Sequence, residues 1–200
     1  MKPAFSSLRR FLREPPGVER CDLCALALGA AHDHLVDPGA RELKCACRAC
    51  AILFSAPDGG RFKRVTPRAE RLADLTIDEG AWERLAIPIG LAFFLRNGVT
   101  GRVTALYPSP AGATESLLAL DAWGAIVAAN PRLADLEADV EALLVHRLDG
   151  ARGRAPEGFV VSVDRCYELV GLLRRHWRGL SGGPEAGAAI EAFFERLRRA

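Results

Sequence analysis

The stretch that decides how the N-terminal part of the chain folds is CDLCALALGAAHDHLVDPGARELKCACRAC, residues 21–50. It begins with Cys21 and Cys24 and ends with Cys47 and Cys50, two pairs that both have the CxxC spacing. A CxxC turn places two sulfurs on one side of a tight loop, and two such turns supply a tetrahedral set of four thiolates. The sequence therefore predicts a metal site whose ligands are Cys21, Cys24, Cys47 and Cys50.

Zinc is the ion we predict for this site, because thiolates are soft ligands and a d¹⁰ ion imposes no competing geometry. Four cysteine ligands leave no position for water, which is typical of a structural ion. Iron is possible with the same ligands, although the knuckles of a rubredoxin carry glycine where this chain has Ala25 and Ala51. The same cysteines are also compatible with an iron–sulfur cluster, or with a set of buried or redox-active thiols that bind no metal.

Three further residues in this stretch are candidate metal ligands. Cys45 lies two residues before Cys47, so it can replace that ligand, serve as a reserve, or lie in the core. His32 and His34 have the spacing that places both imidazoles on one face of a strand. They can bind a second, labile metal ion such as nickel, or they can form a polar face exposed to solvent.

Working outward from the cysteines, the sequence divides into three parts: a tail at 1–17, a metal-binding ribbon at 18–66 and an α+β domain at 67–200. Pro15 and Pro16 end any helix in the tail. In the ribbon, the pattern predicts strands at 32–36 and 41–45 around the turn Asp37-Pro38-Gly39, and a third strand at 61–65.

The rest of the chain has the pattern of an antiparallel sheet with helices packed on it. We expect helix over 67–88, with Asp78 as a cap for residues 79–85, then a hairpin of strands 89–96 and 102–107. A loop at 108–114, a helix at 121–130 and strands at 140–147 and 159–163 follow. Two helices close the chain. The first is capped by Asp164, and helical spacing predicts a buried face made of Cys166, Leu169, Val170, Leu173 and Trp177. The second follows residues 182–184 and is predicted to bury Ile190, Phe193, Phe194 and Leu197. The predicted class is α+β, a small Cys₄ ribbon of the zinc-ribbon or rubredoxin-like type followed by an antiparallel sheet with packed C-terminal helices.

No set of residues indicates catalysis. The polar loop at 109–116, with Ser109, Thr114 and Ser116, can hold a small ligand or a peptide, but it has no GxSxG sequence. Cys166 falls near a helix N-terminus, yet its spacing with Leu169 and Leu173 favours the core. Because no paired carboxylates and no Ser/His/Asp set can be assembled, we predict that the protein is not an enzyme.

Composition limits the kinds of partner. The 200 residues include 27 Lys and Arg against 25 Asp and Glu, a net charge of +2, so the chain is not a polycation. Nucleic-acid binding is a secondary hypothesis, and it would use Arg41, Lys44, Arg48, Arg61, Lys63 and Arg64. No apolar run reaches 18 residues and no signal peptide is visible, so we expect no membrane span and a cytoplasmic location. A reducing compartment favours metal binding over disulfides.

The motifs CDLC, HDHLVD, RELKCACRACAILF, YPSPAGATESLL, CYELV and WRGLSGG occur in that order. Over about residues 20 to 199 the chain resembles an uncharacterised family of actinobacterial-type proteins whose genes tend to lie in clusters for uptake NiFe hydrogenases. Rubredoxin-like accessory proteins with a similar layout also occur in hydrogenase systems, some of them fused to an assembly-chaperone domain. The resemblance implies a non-catalytic accessory protein whose partner is a hydrogenase subunit. The third hypothesis, an iron electron-transfer module, uses the same four cysteines.

Overall fold

The computed structural model describes residues 18–55, 60–85, 87, 89–116, 121–147, 156–179 and 182–200. These residues form two antiparallel sheets, with long helices at the C-terminal end, so the predicted α+β class is confirmed. The predicted tail at 1–17 lies outside the described residues.

The first sheet has three strands in the order β2-β1-β3, with bounds β1 (Asp33–Asp37), β2 (Glu42–Ala46) and β3 (Lys63–Arg64). The Asp37 carboxylate accepts the N–H groups of Gly39 and Ala40, both at 3.1 Å, and this closes the β1–β2 turn. Helix α1 (Arg48–Phe54) follows β2 directly. The predicted strands at 32–36 and 41–45 are confirmed to within a residue, and the third is shorter than predicted. We call this sheet, α1 and the two CxxC segments the ribbon.

The second sheet has six strands in the order β4-β9-β8-β5-β6-β7. Their bounds are β4 (Ala69–Leu72), β5 (Leu91–Arg96), β6 (Val103–Ser109), β7 (Gly112–Glu115), β8 (Glu141–His146) and β9 (Glu157–Ser162). Neighbouring residues of the central strands contribute to opposite faces: Phe94 packs in one apolar cluster and Phe93 in the other. Strands buried on both faces are apolar throughout, which explains why β5 and β8 lack a clean alternation.

Helices cover both faces of the second sheet. One face carries α2 (Glu79–Arg84), α3 (Asp121–Ala129) and a short 3₁₀ helix at Pro131–Asp135. The other carries α4 (Val163–His176) and α5 (Gly183–Arg199), which bury the predicted apolar positions Cys166, Leu169, Val170, Leu173, Ile190, Phe193, Phe194 and Leu197. Trp177, predicted to be buried, is only half-buried at the end of α4. Within the described ranges, no helix combines the length and apolar composition needed to cross a bilayer.

Asp164, predicted to cap the first C-terminal helix, lies in its first turn instead, because α4 begins at Val163 and its N-cap residue is Ser162. Two predictions of secondary structure are also wrong. The segment 67–88 is not helical throughout, because β4 pairs with β9 from Ala69 to Leu72, and among the described residues of this segment the helix is limited to α2. The predicted loop at 108–114 is a tight hairpin in which Tyr107 pairs with Thr114 and Ser109 with Gly112. Pro108 is tolerated in β6 because the pairing of β6 with β5 ends at Leu106, two residues earlier.

The ribbon packs against the second sheet through a small apolar cluster. Val36 and Val65 of the ribbon contact Val140 and Val163, which lie at the starts of β8 and α4. Polar contacts lie beside this cluster, among them the ion pair between Lys63 Nζ and an Asp139 carboxylate oxygen at 2.9 Å. The junction therefore combines apolar packing with charge pairing, and it fixes the ribbon relative to the sheet.

Candidate metal centre

The four predicted cysteine ligands meet at one point of the ribbon. All four sulfurs lie within 4.8 Å of one another, and the Cys24 and Cys47 sulfurs are 3.7 Å apart. A tetrahedron with zinc–sulfur bonds of about 2.3 Å has edges of about 3.8 Å. The cluster, which we call the four-cysteine site, therefore has dimensions that could hold a metal ion. Cys21, Cys47 and Cys50 are buried, whereas Cys24 is exposed.

The first CxxC segment is shaped by its backbone. The Cys21 N–H donates to the Leu26 carbonyl and the Ala25 N–H donates to the Cys21 carbonyl, both at 2.8 Å. These bonds close a turn in which Ala25 has a φ of 61°, in the left-handed region that favours glycine. Ala25 thus adopts the conformation that a glycine would supply in a rubredoxin knuckle.

The second CxxC segment is built differently, because it runs straight into a helix. Cys47 is the N-cap of α1, and its sulfur accepts the N–H of Cys50 at 3.5 Å. The Ala51 N–H donates to the Cys47 carbonyl at 2.8 Å. No left-handed residue is needed at position 51, so an alanine there suits the helix.

The sulfurs do not share one electrostatic environment. Burial disfavours the Cys21 thiolate, but backbone N–H groups of Cys47, Leu23 and Cys24 donate to it and lower its pKa to about 6. Burial, together with the neighbouring thiols, raises the pKa of Cys50 to about 12. Without a cation, Cys21 therefore ionises far more readily than Cys50. A divalent ion bound between the sulfurs would offset the repulsion among neighbouring thiolates, so the remaining thiols would lose their protons when the ion binds.

Asp22, inside the first CxxC segment, is a residue that the sequence analysis missed. Its carboxylate accepts the Cys45 N–H at 2.6 Å, and its own N–H donates to the Cys45 carbonyl at 2.8 Å. These two bonds tie the first CxxC segment to β2 and so bring the two cysteine pairs together. The sequence does offer a sign of this role, because Asp22 places a polar side chain between the two predicted ligands Cys21 and Cys24.

Cys45, His32 and His34 form a separate group beside the four-cysteine site. One ligand atom from each lies within 4.8 Å of the other two. The structure therefore places Cys45 with the histidines, whose side chains are 8% exposed for His32 and 24% exposed for His34 and so do not face solvent. Burial, and then the Glu19 carboxylate, raise the pKa of the Cys45 thiol to about 11. Cys45 is thus protonated at neutral pH in the absence of a cation.

The other predicted sites have structural explanations. Ser109 and Thr114 hydrogen-bond each other at 2.9 Å across the β6–β7 hairpin, and Ser116 donates to the Leu85 carbonyl at 2.7 Å. Cys166 is fully buried, and burial raises the pKa of its thiol, so it belongs to the core as its spacing predicted. These hydroxyls and this thiol therefore serve packing and turn closure.

Most of the basic side chains of the nucleic-acid hypothesis are paired with carboxylates. Five of the six lie within 4.0 Å of an acidic group, in the pairs Arg41–Glu115, Lys44–Glu42, Arg61–Asp37, Lys63–Asp139 and Arg64–Asp33. Charges neutralised in this way attract phosphates weakly. The arrangement therefore disfavours a nucleic-acid surface on the ribbon.

Comparison with known proteins assigns the chain to a family, but it does not assign an activity. The sequence model of a family of unknown function, DUF5947, matches residues 20–200. No curated protein and no solved structure matches the chain. The match covers both sheets and both cysteine pairs.

Proposed function

We propose that this chain, which belongs to the family of unknown function DUF5947, is a non-catalytic accessory protein that holds a structural zinc ion and binds a protein partner. The convergence of the four sulfurs carries this proposal. Four thiolates fill a tetrahedral coordination sphere, so the ion would have no position for a substrate.

The ribbon has a clear need for such an ion. Its buried cluster has seven described side chains, and three of them are the cysteines Cys21, Cys47 and Cys50. A core of this size is too small to fold alone. Zinc binding supplies about 10–16 kcal/mol to peptides of this kind, which is enough to hold the two CxxC segments together.

Apolar side chains exposed next to the metal site support a protein partner. Leu26 follows the first cysteine pair by two residues, and Ile52 follows the second pair by two residues. Leu53 and Phe54 continue this exposed surface on α1, and Leu53 is 71% exposed. Apolar side chains grouped on a protein surface are typical of sites that bind another protein. The ion would fix α1 and so present this surface.

A hydrogenase subunit is the partner we propose, and the function is assistance in assembling a NiFe hydrogenase. The support for this step is the family resemblance carried by the motifs from CDLC to WRGLSGG, which span both the ribbon and the second sheet. The exposed apolar residues are compatible with binding to an incompletely assembled subunit, which itself exposes apolar surface.

The metal is tested by elemental analysis of the full chain, purified without a metal-affinity tag and dialysed against metal-free buffer. We expect one zinc ion per chain, lost in the Cys21→Ser and Cys47→Ser variants and kept in Cys166→Ser. A red, iron-containing protein would replace the zinc proposal by the electron-transfer hypothesis. Metal-free protein that keeps its fold would overturn both.

The partner is tested by affinity capture from cells of the source organism. We expect hydrogenase components to bind the wild-type chain and to be lost with Leu53→Asp, while zinc content is unchanged. Val99→Asp is the matched control, because Val99 is 73% exposed in the β5–β6 turn. Capture that never recovers hydrogenase components would refute this assignment, whatever other proteins are recovered.

A further inference from the structure

Three side chains of metal-binding type meet on the ribbon without using any of the four cysteines described above. His34 lies directly opposite Cys45 in the β1–β2 ladder, and His32 comes two residues before His34. The two imidazole centroids are 4.7 Å apart with their planes at 68°. A ring nitrogen of each histidine and the Cys45 sulfur lie within 4.8 Å of one another. We call these three residues the His–Cys cluster.

Hydrogen bonds identify the donor nitrogen of both imidazoles. His34 Nδ1 lies 3.1 Å from a carboxylate oxygen of Asp164, and His32 Nδ1 lies 3.0 Å from the Gly29 carbonyl oxygen. A carboxylate and a carbonyl can only accept, so Nδ1 is the donor in both rings, and in a neutral imidazole of this tautomer Nε2 has the lone pair that binds a metal. Carboxylate or carbonyl groups behind Nδ1 are the usual support of a histidine that binds metal through Nε2.

His32 provides an independent sign that something is bound. Its side chain is 8% exposed, and its Nε2 is buried with no hydrogen-bond partner among the described residues. A buried polar atom without a partner costs free energy, and native structures contain few of them. A cation bound to His32 through Nε2 would supply the partner that this nitrogen lacks.

We propose that His32, His34 and Cys45 form a second metal site that binds a divalent first-row transition-metal ion and leaves one coordination position open. Two imidazoles and one thiolate suit ions of intermediate softness, such as cobalt, nickel and zinc. Three protein ligands leave room for a fourth, exchangeable one, as in catalytic and transport sites and unlike a closed structural site.

The Glu19 carboxylate lies next to the cluster. Its carboxylate accepts the Cys45 thiol at 3.5 Å and lies 3.9 Å from His32 Nδ1, and its side chain is 57% exposed. Binding of the ion requires loss of the Cys45 proton, which passes to solvent. The open position of the site is then filled by an exchangeable ligand such as water.

The first experiment titrates the zinc-loaded full chain with Co²⁺ and follows cobalt–thiolate absorption. We expect one cobalt ion to bind per chain without displacing zinc. His32→Gln and Cys45→Ala should each abolish this binding and keep the zinc. His176→Gln is the control for adventitious binding at a histidine, because His176 lies at the end of α4, outside the cluster.

Asp164→Asn tests the positioning role of the carboxylate behind His34. We expect the affinity for cobalt to fall about 10–100-fold with one ion still bound at saturation. Asp135→Asn removes the same charge from an exposed position in the 3₁₀ helix and should leave the affinity unchanged. Equal effects of the two variants would show that net charge, and not positioning, sets the affinity.

A measurement on the unmodified chain keeps the proposal testable if a variant fails to fold. Co²⁺ should broaden the imidazole NMR signals of His32 and His34 and leave that of His176 sharp. Cobalt that binds only by displacing zinc, or that broadens His176 equally, would overturn the proposal. Because the two sites share no ligand, loss of one leaves the other to be tested separately.

Discussion

Ala25 and Ala51 occupy equivalent positions, each one residue after a CxxC pair, but they have opposite conformations. Ala25 is in the left-handed region with a φ of 61° and is exposed, whereas Ala51 is helical and fully buried. An L-residue in the left-handed region costs about 1–2 kcal/mol. The two alanines therefore have equivalent positions in the sequence, but the backbone of Ala25 is strained and the backbone of Ala51 is not.

Substitution by glycine should have opposite effects at these two residues. Ala25→Gly relieves the left-handed strain and should raise the free energy of unfolding by about 0.5–1 kcal/mol. Ala51→Gly loses helix propensity and a buried methyl group, so it should lower that free energy by about 1–2 kcal/mol. Urea unfolding of the zinc-loaded variants measures both. A lower free energy of unfolding for Ala25→Gly would contradict the claim that the backbone of Ala25 is strained.

The residues of the candidate metal sites differ in how far they could be predicted from the sequence. The convergence of the four cysteines was predictable because CxxC spacing is local and metal chemistry allows few other uses of it. Asp164 could not be predicted as a partner of His34, since 130 residues separate them and only the packing of the ribbon on α4 brings them together. The support of the His–Cys cluster is therefore a tertiary feature.

Among the elements, those with a strong local pattern were predicted well and those that depend on a distant partner were not. The β5–β6 hairpin and the helices α4 and α5 follow from turn residues and apolar spacing. Residues Ala69–Leu72 have a sequence compatible with helix, but pairing with β9 makes them a strand. Tertiary pairing overrides such weak preferences, and the strand order of the second sheet depends on the same distant contacts.

The contact between α5 and β9 gives a prediction on pH. Arg198 hydrogen-bonds Glu157 and lowers the pKa of that carboxyl, with burial opposing the shift. A carboxyl whose pKa is lower in the folded state stabilises the fold above its unfolded pKa, and this contribution disappears as the pH falls through the folded value. The stabilisation is thus present at neutral pH and lost in the acid range below about pH 4.5.

Glu157→Gln should remove this contribution. We expect the free energy of unfolding at pH 7 to fall by about 1–3 kcal/mol, because Arg198 loses its buried partner while keeping Glu191 and Glu195. As the pH is lowered through the acid range, the wild type should lose more stability than the variant. Glu185→Gln, at an exposed position of α5, is the control. If the free energies of unfolding of wild type and Glu157→Gln changed in parallel with pH, the stability lost in the acid range would not come from Glu157.

Across the whole molecule, the two sheets differ in how they are stabilised. The second sheet lies between two large apolar clusters, one on each face. The ribbon has one small cluster made partly of cysteines, and it contacts the rest through the valine cluster around Val36 and Val163. We therefore expect metal binding and folding to be coupled in the ribbon and largely independent in the second sheet.

Removal of zinc by a strong chelator should unfold the ribbon and leave the second sheet folded. Hydrogen exchange should then show loss of amide protection in β1, β2 and α1, with protection retained in β5, β8 and β9, because each strand of that group is buried between apolar clusters. The Cys21→Ser variant is the control, since it should show this exchange pattern before chelator is added and no change afterwards. If β8 lost protection together with β1, the valine cluster would be part of a single cooperative unit and the metal would stabilise the entire chain. If β1 kept its protection without metal, the ribbon would fold on its apolar contacts alone, and the four cysteines would need a role other than holding a structural ion.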